Sequence, residues 1–219
     1  MRKGTLVILF TMILGIACDQ HRINVVLKKQ LDSVMLLDQK YRDTLSLLMN
    51  PQKADSISKS LSFGPGHAMT HYWTLQNRID SLNVIFIEEV FEKYGYPGKS
   101  LVDTPANESA WYIIQHSKKI HQYLPMMKKA AEANELPFQL YGKMLDRELT
   151  NEGKEQIYGT QGVCRPLKNG KNIGCYIWPI KDAAKVNERR KKAGFEQTVE
   201  QNATKIAIVY KVIKLDEVR

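Results

Sequence analysis

The chain has 219 residues, 43% hydrophobic and 25% charged, with a formal net charge of +9 at pH 7. It is long enough to bury the core of one globular domain, and it shows no internal repeat or low-complexity segment. Its Lys and Arg residues are scattered apart from Arg189-Arg190-Lys191-Lys192, best read as a solvated helix face, so no nucleic-acid partner is expected.

The first element is a leader. Arg2 and Lys3 precede an apolar run, Leu6 to Ile16, that is too short to span a bilayer comfortably, and Ala17-Cys18 follows. Leu14-Gly15-Ile16-Ala17-Cys18 resembles a bacterial lipobox, although Gly15 departs from the usual branched residue. The expectation is a signal peptide over 1–17, lipidation at Cys18 and a tether over 18–24, which places a soluble domain in the bacterial cell envelope, anchored to a membrane by lipid and facing the periplasm or exterior. Buried acyl chain contributes about 0.8 kcal/mol per CH₂ to such an anchor. An ordinary cleaved leader with an incidental cysteine is the alternative. Removing Arg2 and Lys3 with the leader lowers the net charge from +9 to +7.

A single domain is expected over 25–204. Leu27, Leu31, Val34, Asp38, Tyr41, Leu45 and Leu48 recur at steps of four and three, which predicts one long helix over 22–49 with a single apolar stripe, interrupted by Asp38. Asn50-Pro51 stops it, and 52–66 reads as a polar linker. A second helix, 69–94, takes Trp73, Ile79, Leu82, Ile85, Phe86, Val90 and Phe91 as core candidates and ends at Gly95-Tyr96-Pro97-Gly98. Helices follow over 106–122, broken at Leu124-Pro125, then over 125–134 and 137–150. The period then shifts to a hairpin, 156–167 and 171–178, around Asn169-Gly170. Cys164 and Cys175 flank that turn and are placed to form a disulfide worth about 3 kcal/mol in the chain-entropy model. Asp182 is a candidate N-cap for a basic helix over 183–193, a short helix is expected near 196–202, and 206–213 reads as a strand opening a C-terminal segment, 205–219. The fold class is mainly α with a small antiparallel β-hairpin near the C-terminus.

Polar residues that such a fold does not demand are the candidates for chemistry. Asp38 in an apolar stripe needs a partner, and Arg42 stands one turn on, as a structural ion pair or as the wall of a polar cavity. His116, after Gln115, is the best candidate acid or base, although a lone histidine on an apolar helix face is more often a satisfied core residue. Asp146 and Arg147 point about 100° apart on a helix and need separate partners, and Arg147 suits a carboxylate or phosphate. Tyr158, Thr160 and Gln161 lie where Gly159 lets the backbone bend. They line a site or form a buried network holding sheet to helices. His67 and His71 have i,i+4 spacing without a third ligand, and His121 reads as a surface residue, so neither a metal nor another cofactor is expected. No GxSxG, P-loop, GxGxxG or HExxH motif occurs.

These residues also carry a resemblance. Asp38-Gln39-x-x-Arg42, Tyr94-Gly95-Tyr96-Pro97, Ala110-Trp111 with Gln115-His116, Asp146-Arg147, Gly153-Lys154-x-Gln156-x-Tyr158-Gly159-Thr160-Gln161, and Pro179-Ile180-x-Asp182 with Val186 and Arg189-Arg190 resemble a bacterial family known as domain of unknown function 6624, over roughly 25–200. Gly95-Tyr96-Pro97 stands where the family has glycine-Trp-Pro. The hairpin cysteines and the segment after 204 look like local additions. The resemblance implies no activity. It does imply that the flagged residues belong to one recurring set, the inventory of a polar pocket.

Three functions remain open. The first is a tethered domain binding an unknown small molecule or envelope polymer, with Asp38, Arg42, Gln115, Tyr158, Thr160, Gln161 and Arg190 in its pocket. The second is an acid–base enzyme, hydrolase- or lyase-like, using His116, Asp146 and Arg147. The third is a structural envelope lipoprotein. Convergence of these side chains on an open cleft favours the first two, and burial in a sealed core favours the third.

Overall fold

The computed structural model describes residues 22–64 and 66–218. The expected leader, with Cys18, lies outside the described residues. Among the described residues no helix is long and apolar enough to cross a membrane.

Helix α1 (Val25–Gln39) starts at Asn24, whose side chain accepts the Leu27 N–H at 3.0 Å. Its buried positions Leu27, Leu31 and Asp38 continue as Leu45 and Leu48 in α2 (Arg42–Leu48), so the predicted stripe is real. The predicted single helix is not, because the chain breaks at Lys40-Tyr41. The break frees the Asp38 carbonyl and the Tyr41 N–H. A buried Gln76 side chain satisfies both, donating to the carbonyl at 2.9 Å and accepting the N–H at 3.2 Å.

The predicted linker contains a helix, α3 (Pro51–Ser60). Asn50 caps it by accepting the Gln52 and Lys53 N–H groups, and Pro51 presets its first turn. Helix α4 (His67–Tyr94) ends at Gly95, with φ +69°, and the Tyr96 hydroxyl then donates to the Asn107 carbonyl at 2.6 Å. The buried face of α4 carries Ala68, Gln76, Asn83, Ile87, Val90 and Phe91. Trp73, Leu82 and Ile85, expected in the core, are 43%, 59% and 54% exposed.

After α5 (Lys99–Val102) and a 3-10 turn (Ala106–Glu108) come α6 (Ser109–Gln115), α7 (Ile120–Glu132) and α8 (Phe138–Asn151). The helix predicted over 106–122 breaks at 116–119 rather than at Pro125. Ser117 accounts for part of this, since its hydroxyl donates to the Ile114 carbonyl and accepts the Lys119 N–H. Pro125 sits inside α7, exposed. Leu31, Ile87, Ile114, Met127, Leu136 and Met144 lie at the heart of the main core.

The C-terminal third carries a small sheet and a second apolar cluster. Strands β1 (Gly162–Cys164) and β2 (Cys175–Ile177) pair antiparallel with Cys164 opposite Cys175, and the two cysteines are disulfide-bonded. The strands are shorter than predicted, because Gln156 forms an isolated parallel bridge with Ile180 instead of joining the hairpin. A 3-10 turn (Ala183–Lys185) leads to α9 (Val186–Lys192), α10 (Val199–Lys205) and α11 (Leu215–Val218). Asp182 does not cap: its φ is +47° and its side chain takes no cap hydrogen bond. Thr198 and Gln201 form a capping box at α10. No strand forms over 206–213. Ile208 instead seats in a second apolar cluster with Ile177, Ile180, Val186, Val199 and Ala203. The fold is mainly helical with one small antiparallel sheet.

Candidate functional site

Asp38 is 1% exposed, at the end of α1. Its carboxylate accepts from Arg42 Nη2 at 3.2 Å and Gln39 Nε2 at 2.6 Å, and His116 Nδ1 lies 3.2 Å from Oδ1. Burial pushes the Asp38 carboxyl up, but the hydrogen bonds from His116 and Arg42 outweigh it and hold the group below its ordinary value. An ionised carboxylate only accepts, so His116 meets it with Nδ1–H. In the neutral ring Nε2 is then the lone-pair nitrogen, and among the described residues it has no hydrogen-bond partner. Arg42 also binds Asp80 at 2.8 Å, and Gln76 donates to the same Asp80 oxygen at 2.7 Å.

His116 and Asp80 both line a surface cleft of about 630 Å³ between α4 and the 116–119 segment. The far wall carries Glu88 and Lys119. Lys119 Nζ sits 2.6 and 2.7 Å from the two Glu88 oxygens, and the Tyr123 hydroxyl donates to Glu88 at 2.6 Å. Hydrogen bonds from Lys119 and then Tyr123 hold Glu88 below its ordinary value, while burial and Glu88 push Tyr123 up to about 12. Arg147 reaches this region from α8, donating to the Gln115 carbonyl at 2.9 Å. Among the described residues it pairs with no carboxylate. Burial, and next the nearby Arg42, pull its pKa below the ordinary value. A half-buried cation without a counter-charge is costly unless an anion visits it.

Asp146 belongs to a different network. It is fully buried and accepts from the N–H groups of Ile157 at 2.7 Å, Tyr158 at 3.0 Å and Thr160 at 3.0 Å, and from the Thr160 hydroxyl at 3.0 Å. Burial pushes its carboxyl above the ordinary value, and those four donors act against the shift. The carbonyls of the same loop are also held: Ile157 by Arg189, Tyr158 by Arg190 at 2.7 Å, and Gly159 by Asn202 at 3.1 Å. Gln156 closes the loop, accepting the Gln161 N–H and donating to the Gln161 and Trp178 carbonyls. Gly159, at φ +70°, leaves no room for a Cβ, which would meet Val199 and Ile180. Residues 157–161 are therefore a tied loop rather than a strand face.

The predicted set divides accordingly. Asp38, Arg42 and His116 come together, with His116 edging the cleft, and Arg147 bonds the carbonyl of Gln115, the residue before His116. Tyr158, Thr160 and Gln161 belong to the tied loop, which Asp146 on α8 and Arg190 on α9 hold, and no hydrogen bond joins the Asp38 group to the Asp146 group among the described residues. Sequence reasoning missed Gln76, Asp80, Glu88 and Lys119. The first two carried a signal, because Gln76, Asp80, Asn83, Ile87 and Val90 follow the same steps of four and three as the α1 stripe.

No curated protein and no solved structure matches the chain. A family model described as a family of unknown function matches residues 56–210. That segment includes Gln76, Asp80, His116, Arg147 and the tied loop, while Asp38 and Arg42 precede it. The chain belongs to this family, DUF6624.

Proposed function

We propose that this is a lipid-anchored protein of the bacterial cell envelope whose cleft binds a small anionic ligand beside His116. The observation that carries the reading is the orientation of His116. A buried carboxylate takes its Nδ1, and its ring belongs to the cleft wall, so Nε2 is the atom left for a ligand, accepting from a ligand hydroxyl when the ring is neutral and donating to an anionic oxygen when the ring is protonated. Arg147 is not on the cleft wall, but it bonds the carbonyl next to His116 and pairs with no carboxylate among the described residues, which supports an anionic ligand reaching past His116, since a guanidinium takes carboxylate or phosphate in two parallel hydrogen bonds. The apolar run ending in Cys18 supports the anchor.

The test is mass spectrometry of small molecules released on denaturing protein isolated from its own envelope. One retained anionic species is expected in the wild type, reduced at least about tenfold in His116→Ala, the effect of losing about 1.4 kcal/mol of contact. Equal retention in the variant would overturn the reading. Cys18→Ser should move the protein from the membrane fraction to the soluble fraction; unchanged fractionation would remove the anchor.

The Asp38–His116 pair also supports a second reading, acid–base catalysis on the bound ligand. A carboxylate that fixes the tautomer and orientation of a histidine is the arrangement general bases use. Turnover of the retained species by wild type, lost in both His116→Ala and Asp38→Asn, would favour it over binding alone.

A further inference from the structure

His121, near the start of α7, meets α8 away from the Asp38 network. Its Nδ1 lies 3.0 Å from Glu148 Oε1. Glu152 follows Glu148 by one helical turn, and one donor atom from each of the three residues lies within 4.8 Å of the others. We propose that His121, Glu148 and Glu152 form a binding site for a divalent transition cation of the zinc type.

The donor chemistry fits. Imidazole nitrogen and carboxylate oxygen bind zinc at about 2.0–2.2 Å, so tetrahedral ligand atoms stand roughly 3.3 Å apart. The His121–Glu148 separation is already close to that value, and a Glu152 oxygen lies within 4.8 Å of both. The charge fits as well. Two carboxylates and a neutral imidazole balance one divalent ion, whereas the neighbouring Lys154 ammonium, 2.6 Å from Glu152 Oε2, supplies a single positive charge. The frame is firm on one side and open on the other: the Glu148 side chain is 13% exposed and that of His121 83%, which leaves the fourth position to water. The ligands come from two helices, with His121 and Glu148 27 residues apart, a separation at which sequence spacing carries no signal. Loading would clamp α7 to α8 just after the 116–119 segment that walls the cleft.

The experiment is isothermal titration of the full-length protein in detergent, free of any histidine tag and stripped with a chelator, with zinc chloride. Saturable binding of one ion per chain is expected, with a rise in Tm. His121→Ala and Glu148→Gln should each weaken binding at least about tenfold, since even outer-shell partners of a metal cost that much. His67→Ala, on the unrelated His67/His71 pair, should bind as the wild type does. His121 is exposed, so His121→Ala should retain the zinc-free Tm and report on binding alone. Absence of one-per-chain saturable binding, or undiminished affinity in His121→Ala, would overturn the site. Neither outcome bears on the anionic ligand at His116, which is tested separately.

Discussion

His116 and Asp146 entered as partners in one constellation, and their surroundings assign them opposite duties. Asp146 spends its carboxylate on three backbone N–H groups and a hydroxyl of a single loop, and the same loop's carbonyls are held by Arg189, Arg190 and Asn202. Nothing remains on Asp146 for a substrate. Asp146→Ala should therefore cost about 3 kcal/mol or more of unfolding free energy, because it orphans several buried donors at once. Chemical denaturation reads this directly; a loss within about 0.5 kcal/mol, the range of ordinary surface substitutions, would mean the loop is held by other contacts. His116→Ala removes one partner from a carboxylate that keeps Arg42 and Gln39. Its stability should fall by about 1.5 kcal/mol, clearly less than for Asp146→Ala. The contrast between the two variants separates a structural acid from a residue kept for the cleft.

At the scale of elements, Gln76 shows how a helix break is made tolerable. One side chain on α4 repairs both backbone groups exposed where α1 gives way to α2. Gln76→Ala should lose about 2 kcal/mol, and Gln76→Glu, which keeps the acceptor but loses the donor, should not restore it fully. Equal stability of Gln76→Ala and wild type by thermal unfolding would show that the break needs no repair. The hairpin is a second self-contained element. Reduction of Cys164–Cys175 closes off about 3 kcal/mol of chain-entropy stabilisation in a two-stranded sheet of three-residue strands. A fall in Tm on adding reductant is expected, absent in a Cys164→Ser/Cys175→Ser variant.

What could be read along the chain follows from the same elements. The α1–α2 stripe was legible because Leu27, Leu31, Leu45 and Leu48 keep one helical period, and the disulfide because Asn169-Gly170 sits between its cysteines. The break at Lys40-Tyr41 was hidden, since its cause lies on another helix. The buried side of α4 was read only in part: Val90 and Phe91 are buried as expected, but Gln76 and Asn83 turn inward while Trp73, Leu82 and Ile85 remain outside. Hydropathy alone chooses the wrong face when the core contains a polar network. Half the candidate site was visible as Asp38, Arg42 and His116. Its division from the Asp146 loop was not, because only three-dimensional packing decides which carboxylate a loop consumes.

For the whole molecule, the charge of the Asp38 network sets part of the response to acid. The carboxyl of Asp38 titrates below its ordinary value in the fold. It therefore adds stability that is fully present above the unfolded carboxylate value, near pH 3.9, and is lost as pH falls through the folded value. Unfolding free energy should drop more steeply below about pH 4 in wild type than in Asp38→Asn. Asp146 is common to both proteins and cancels from the comparison. Parallel acid profiles would mean Asp38 is not held ionised by His116 and Arg42. The molecule as a whole then consists of a tied C-terminal third and a helical body in which His116, held by Asp38, edges a cleft. The most direct test of that account is the tautomer of His116, read from its imidazole ¹⁵N resonances at a pH where the ring is neutral. The account predicts a proton on Nδ1, donated to Asp38, and a bare Nε2, with that preference lost in Asp38→Asn. A wild-type ring protonated on Nε2 would contradict it.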